Sequence, residues 1–154
     1  MIKEGIKAPA FTLPDQNGNK VSLNDFSGKN IVLYFYPKDD TSGCTKEACQ
    51  FRDAFPKFKG VNAVIMGISP DSVESHKKFE EKYKLPFTLL ADDKKSVVEK
   101  YGVWKEKSMY GRKYMGVERT TFVIGSDGKI KKIFNKVKVP DHDKQVLETL
   151  KDLK

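Results

Sequence analysis

Both cysteines of this chain fall in one short stretch, "FYPKDDTSGCTKEACQFRD", as Cys44 and Cys49. A proline (Pro37), a run of turn-forming residues and a threonine (Thr41) precede them, and an apolar-periodic segment follows. That arrangement predicts a loop feeding the start of a helix, with Cys44 in its first turn. A thiol there meets unpaired backbone N–H groups and the positive end of the helix macrodipole. Both favour the thiolate, which is the reactive form of cysteine. Thr41 can turn a hydroxyl toward the same spot, Gly43 removes bulk beside the sulfur, and Pro37 closes the preceding strand and can shield the thiol from water. A lone cysteine would read as a small buried hydrophobe; the surrounding residues point to chemistry instead.

The spacing of the pair adds a constraint. Five residues along an α-helix give ~7.5 Å of rise and ~140° of rotation, placing the two Cα atoms ~8.6 Å apart. A disulfide bridges at most ~7 Å without backbone movement. Joining Cys44 to Cys49 therefore requires the first turns of the helix to unwind, which suits a switch better than a static crosslink. The other reading of Cys49 is a core thiol on the buried face of the helix.

The elements that must position this segment can be read from periodicity. "FTLPDQNGNKVSLNDF" alternates around the turn Asn17-Gly18-Asn19 and predicts a hairpin. "NIVLYFYP" and "NAVIMGIS" are continuous apolar runs of the kind found in strands covered on both faces. A helix is expected from about Gly43 to Phe55, with Pro56 and Gly60 near its end. Further helices are expected in "DSVESHKKFEEKY", in "KKSVVEKYGV" and from about Asp141 to Leu153; "FTLLAD" reads as a strand and "ERTTFVIGSDGKIKKIF" as a hairpin. The order β-β-β-α-β-α-β-α-β-β-α implies an α/β fold, a central mixed sheet flanked by helices with an N-terminal β-hairpin. Sites on such sheets lie at the carboxyl ends of strands, where the cysteine segment begins.

The totals narrow the function classes. At 154 residues and 17.5 kDa, one domain covering residues 1–154 is expected. No segment reaches the ~18–20 apolar residues of a membrane span, and the N-terminus carries no apolar run of signal-peptide length. A cytoplasmic protein without membrane attachment is expected, and that compartment keeps thiols reduced. The formal charge is +8, with thirteen Lys or Arg against four Asp or Glu between Lys94 and Lys138. The lysines are spread over several elements without a recognition motif, so a solvated face is preferred to a nucleic-acid surface. A zinc site normally needs four ligands, and beyond the two cysteines the only other soft candidates are His76 and His142, which stand alone in charged helical contexts. His76 and His142 read as isolated, exposed helix residues without a role. No metal or other cofactor is expected, which leaves redox chemistry.

The segment resembles the active site of the peroxiredoxins, whose signature P-x3-T/S-x2-C matches Pro37, Thr41 and Cys44. The second thiol at C-x4-C, and "YGVWKEKSMYGRKYMG" further on, are similar to the bacterioferritin-comigratory or Q branch, an atypical two-cysteine class with a thioredoxin-like fold. The likeness runs over essentially the whole chain. One departure is Ser42, where that branch often has proline. The resemblance implies a thiol-dependent peroxidase of antioxidant defence acting on hydrogen peroxide and organic hydroperoxides, monomeric or weakly dimeric. It implies Cys44 as the peroxidatic thiol, Cys49 as the resolving thiol, and thioredoxin or a similar dithiol as reductant. It further implies that Arg119, in "ERTTFVIGSDGKI", and Thr41 assist the attack, and that Glu47 orients Arg119; Glu47 otherwise reads as a solvated helix glutamate. Trp104, Met109 and Tyr110 read as a rim of the pocket or reductant surface, with core packing preferred for Trp104. Three competing classes are a thioredoxin-type oxidoreductase, which would normally show C-x-x-C, a redox sensor or holdase without turnover, and a basic nucleic-acid binder.

Overall fold

A computed structural model describes residues 2–153. The chain opens with β1 (Thr12–Pro14) and β2 (Lys20–Ser22), paired antiparallel across the expected Asn-Gly turn, and a 3-10 turn (Leu23–Phe26). Next come β3 (Asn30–Phe35), α1 (Ser42–Lys59), β4 (Ala63–Ser69), α2 (Val73–Tyr83), β5 (Thr88–Ala91) and α3 (Ser96–Lys100). A hairpin of β6 (Trp104–Met109) and β7 (Arg112–Val117) leads into β8 (Thr120–Ile124), β9 (Ile130–Phe134) and α4 (His142–Lys151).

The main sheet has the order β5-β4-β3-β8-β9, with β3, β4 and β5 parallel and β8 and β9 antiparallel. The apolar run of β3 takes the centre because it can bury both faces. Ile31, Leu33 and Phe35 enter one core with Phe11, Val98, Tyr101 and Phe122. Val32, Tyr34 and Tyr36 enter the other, against α1 and α4. The edge strand β5 is covered by a side chain imitating a strand: Leu89 N–H donates to Gln16 Oε1 (3.0 Å), and Gln16 Nε2 donates to Phe87 C=O (3.2 Å). This blunts an edge that would otherwise invite pairing.

Four expectations are corrected. α1 does not stop before Pro56 but continues to Lys59. The buried stripe Cys44, Ala48, Phe51, Phe58 follows the helical period, and Phe58, packed edge-on to Phe51, holds the last turn to the core. The hairpin β6–β7 was not anticipated, because its strands are charged on both faces and show no apolar alternation. Its signal was the two-residue loop Tyr110-Gly111, where both residues have positive φ (53° and 79°). His76 and His142 are not exposed; their relative exposures are 0% and 1%. His76 lies with Phe79 on the inner stripe of α2, masked in the sequence by flanking lysines and glutamates. His142 sits between the rings of Phe51 and Phe134, shares a 2.8 Å hydrogen bond with Thr121 Oγ1, and is pushed below its ordinary pKa by burial.

Candidate active site

The register of the sheet brings the site together. Because β8 runs antiparallel to β3 and pairs Thr120 with Phe35, the residue just before β8 arrives at the carboxyl end of β3. That residue is Arg119, and the loop leaving β3 starts α1 at the same end. Two residues 75 positions apart thus meet: Arg119 Nη2 donates to Cys44 Sγ at 3.2 Å. Arg119 Nη1 donates to Glu47 Oε1 at 2.6 Å. One planar guanidinium spans the thiol and the carboxylate, a geometry lysine does not offer.

Cys44 is 1% exposed and begins the buried stripe of α1. It stands in the first turn of α1, where the first helical bond runs from Thr45 N–H to Thr41 C=O (2.8 Å). The guanidinium donates to the sulfur, and the first-turn position sets the sulfur at the positive end of the α1 macrodipole; both favour negative charge there. Gly43 leaves room for this approach: a Cβ at that position would lie 3.2 Å from Arg119 Nη2 and press the guanidinium away by a few tenths of an ångström. Thr41 is the N-cap residue, and its hydroxyl donates to Lys38 C=O (3.0 Å), so its proton is directed away from the sulfur and its oxygen is left as an acceptor. Pro37 is half-buried at the end of β3. Cys49 is half-buried on the same helix, and both thiols are free.

Glu47 is fully buried, not solvated. Burial raises its pKa to about 7, against the opposing pull of Arg119. Above that pH the carboxylate pairs with Arg119, whose own pKa is raised by Glu47 and Cys44 against the cost of burial. The raised pKa has a stability consequence of definite sign. The unfolded chain loses this proton near the ordinary value of 4.5, while the folded chain holds it to about 7, so stability falls as pH rises across that window. The size is about 3 kcal/mol. Glu47→Gln is expected to flatten this fall, read as the pH dependence of unfolding by denaturant; an unchanged profile would mean that Glu47 titrates normally.

Sequence reasoning missed two features beside the site. Lys107, on β6, is half-buried, and its ammonium is pushed below its ordinary pKa by burial and then by the Arg119 charge, against the pull of Cys44. Asp39, in the loop before Thr41, is buried against Tyr36 and His76. Asp39, Asp71 and His76 each bring one ligand-type atom within 4.8 Å of the others, but these atoms are already hydrogen-bonded within the protein. Of the rim residues, Trp104 packs partly against the core, whereas Met109 and Tyr110 are exposed at the tip of the β6–β7 hairpin.

A central mixed sheet with a thiol, an arginine and a helix start at its carboxyl end defines a peroxiredoxin, a peroxidase-type oxidoreductase, and the chain belongs to the AhpC/TSA family, whose pattern matches residues 5–133. It is 53% identical over 152 residues to "Peroxiredoxin Bcp" of Bacillus subtilis (strain 168), covering 99% of this chain and 97% of that protein. It also superposes on a crystal structure of a cysteine variant of the Xylella fastidiosa PrxQ with a TM-score of 0.94 at 35% identity, covering 99% and 98% of the two chains. The Xanthomonas campestris bacterioferritin comigratory protein, studied for its alkyl peroxide reduction activity, matches with a TM-score of 0.91 at 36% identity over 98% and 99%. The fold is thus the thioredoxin-like fold of these peroxiredoxins. Among the described residues no helix is long and apolar enough to cross a membrane.

Proposed function

We propose that residues 1–154 form one thioredoxin-like domain that reduces hydrogen peroxide and organic hydroperoxides at Cys44, resolves the product with Cys49, and is recycled by thioredoxin or a similar dithiol protein. The carrying observation is the Arg119 Nη2–Cys44 Sγ contact at 3.2 Å. The thiolate attacks the terminal peroxide oxygen; an S–O bond forms, the O–O bond breaks, and water or an alcohol leaves once protonated. Charge grows on the leaving oxygen during this step. A fixed cation and helix-start N–H donors then gain most of their interaction in the transition state. Thr41 Oγ1, its own proton on Lys38 C=O, accepts a hydrogen bond from the peroxide and orients it.

The resulting sulfenic acid condenses with the Cys49 thiol; an S–S bond forms and water is lost. A dithiol reductant then restores both thiols by exchange, becoming a disulfide itself. No cofactor enters this cycle. Peroxide-dependent oxidation of NADPH through thioredoxin and its reductase tests the reading; stoichiometric oxidation without turnover would favour a sensor instead. The work is cytoplasmic antioxidant defence by a monomer or weak dimer, without nucleic-acid or membrane partners.

Both thiols lie on α1 in the reduced protein, so closing the disulfide must break helical hydrogen bonds. Amides 43–49 are expected to exchange with solvent faster in the oxidised protein, while β3 and β4 change little. Hydrogen-exchange mass spectrometry on the two redox states checks this. Equal protection with the disulfide confirmed by mass would exclude unwinding.

A further inference from the structure

We infer that His76 is a positioning residue: as a buried imidazolium paired with Asp39, it latches the 37–41 segment to α2 and so holds Thr41 and the start of α1 in their peroxide-ready geometry. The inference rests on the reading of Cys44 as the peroxidatic thiol. Asp39 lies midway between Pro37 and Thr41, and its carboxylate is fully engaged. Oδ1 accepts from Tyr36 Oη–H (2.6 Å), and Oδ2 accepts from Ser75 Oγ–H (2.8 Å) and faces His76 Nδ1 (2.7 Å). Its backbone N–H donates to Asp71 Oδ2 (2.8 Å), which also accepts from Ser69 Oγ–H (2.6 Å).

The other ring nitrogen of His76 decides the protonation state. Nε2 lies 2.9 Å from Leu90 C=O. With Asp39 as the carboxylate to which Tyr36 and Ser75 donate, both ring nitrogens face oxygens that can only accept. A neutral imidazole has one N–H and would leave the other side unbonded; only the imidazolium satisfies both. Tyr36 Oη is 3.5 Å from Nδ1 and directs its proton to Asp39, so it does not compete. The ionisable groups facing the ring are Asp39 and Tyr36, with Asp71 behind them, and the ring has no exposure to solvent.

A second tie holds the same loop from outside. Asp40, at a positive φ of 57°, accepts from Lys82 Nζ–H (2.7 Å) and Tyr83 Oη–H (2.7 Å), both on α2. Two consecutive aspartates thus fasten the loop to α2 immediately before the helix that must open. The outer tie is exposed and screened by water; the inner one is dry. The latch therefore gives the unwinding of α1 a fixed N-terminal limit and favours the closed form, in which Cys44 meets peroxide, over the open form, in which it meets Cys49.

Two measurements test this. A ring-nitrogen NMR spectrum of the reduced protein at neutral pH is expected to show both His76 nitrogens protonated; an unprotonated nitrogen would overturn the proposal. In single-turnover experiments, His76→Phe, and the milder Asp39→Asn should the first not fold, are expected to slow Cys44 oxidation by about 10-fold through misplacement of the reacting groups. At high peroxide the same variants should yield more disulfide and less Cys44 sulfinic acid, because the open form is favoured. A lowered Tm with unchanged oxidation rate and unchanged product ratio per folded molecule would make His76 a core residue only. Failure of the wild type to oxidise at Cys44 would instead refute the functional reading beneath it.

Discussion

Cys44→Ser is expected to abolish peroxide reduction, whereas Cys49→Ser should keep the first oxidation step and lose reductant-driven turnover. Only Cys44 combines the first-turn position on α1, the Arg119 donor at 3.2 Å and near-complete burial. A serine there would keep the volume but present a hydroxyl that stays protonated, so there would be no anion to attack the O–O bond. Cys49 lies further along α1, half-buried and outside the Arg119 contact. Its loss should leave the sulfenic acid formed but stranded, open to over-oxidation by further peroxide. Rapid-mixing measurement of peroxide loss, beside steady-state turnover, separates the steps. Rapid stoichiometric consumption by Cys44→Ser would overturn the assignment of roles.

Arg119→Lys carries the second large effect. The native guanidinium is held by the buried Glu47 at 2.6 Å while its other terminal nitrogen reaches Cys44. An ammonium keeps the charge but cannot donate to both groups in one plane. The sulfur then loses a fixed donor, and the developing charge on the leaving oxygen loses a preorganised one. A single well-placed donor contributes about 2.7–4 kcal/mol to a transition state, so the oxidation step should slow by at least about 10-fold. The rate constant for Cys44 oxidation, taken from single-turnover traces, is the relevant readout. Near-wild-type kinetics would make Arg119 a structural residue.

These residues were legible for a physical reason. The Pro37–Thr41–Cys44 frame is local, and the stripe Cys44, Ala48, Phe51, Phe58 announces its helix through a 3.6-residue period. Arg119 is different in kind. Nothing local ties it to Cys44, and the antiparallel entry of β8 beside β3 makes the contact; in the sequence only the family resemblance pointed to it. His76 was hidden because its neighbours on α2 are mostly charged and its partners, Asp39 and Leu90, lie on other elements. The β6–β7 hairpin was hidden because both of its faces are largely polar. Glu47 was ambiguous for a related reason: a glutamate in a helix is usually solvated, and its burial became visible only once the opposing face of the sheet was in place.

The central claim, that peroxide reacts at Cys44 and that Cys49 follows, is tested most directly by trapping the first product. The reduced wild-type protein is mixed with one equivalent of hydrogen peroxide, with and without a 1,3-dione that captures sulfenic acids, quenched, and mapped by peptide mass. The adduct is expected on Cys44, and without the trap a Cys44–Cys49 disulfide. An adduct on Cys49, or peroxide consumed while both thiols remain reduced, would contradict the account.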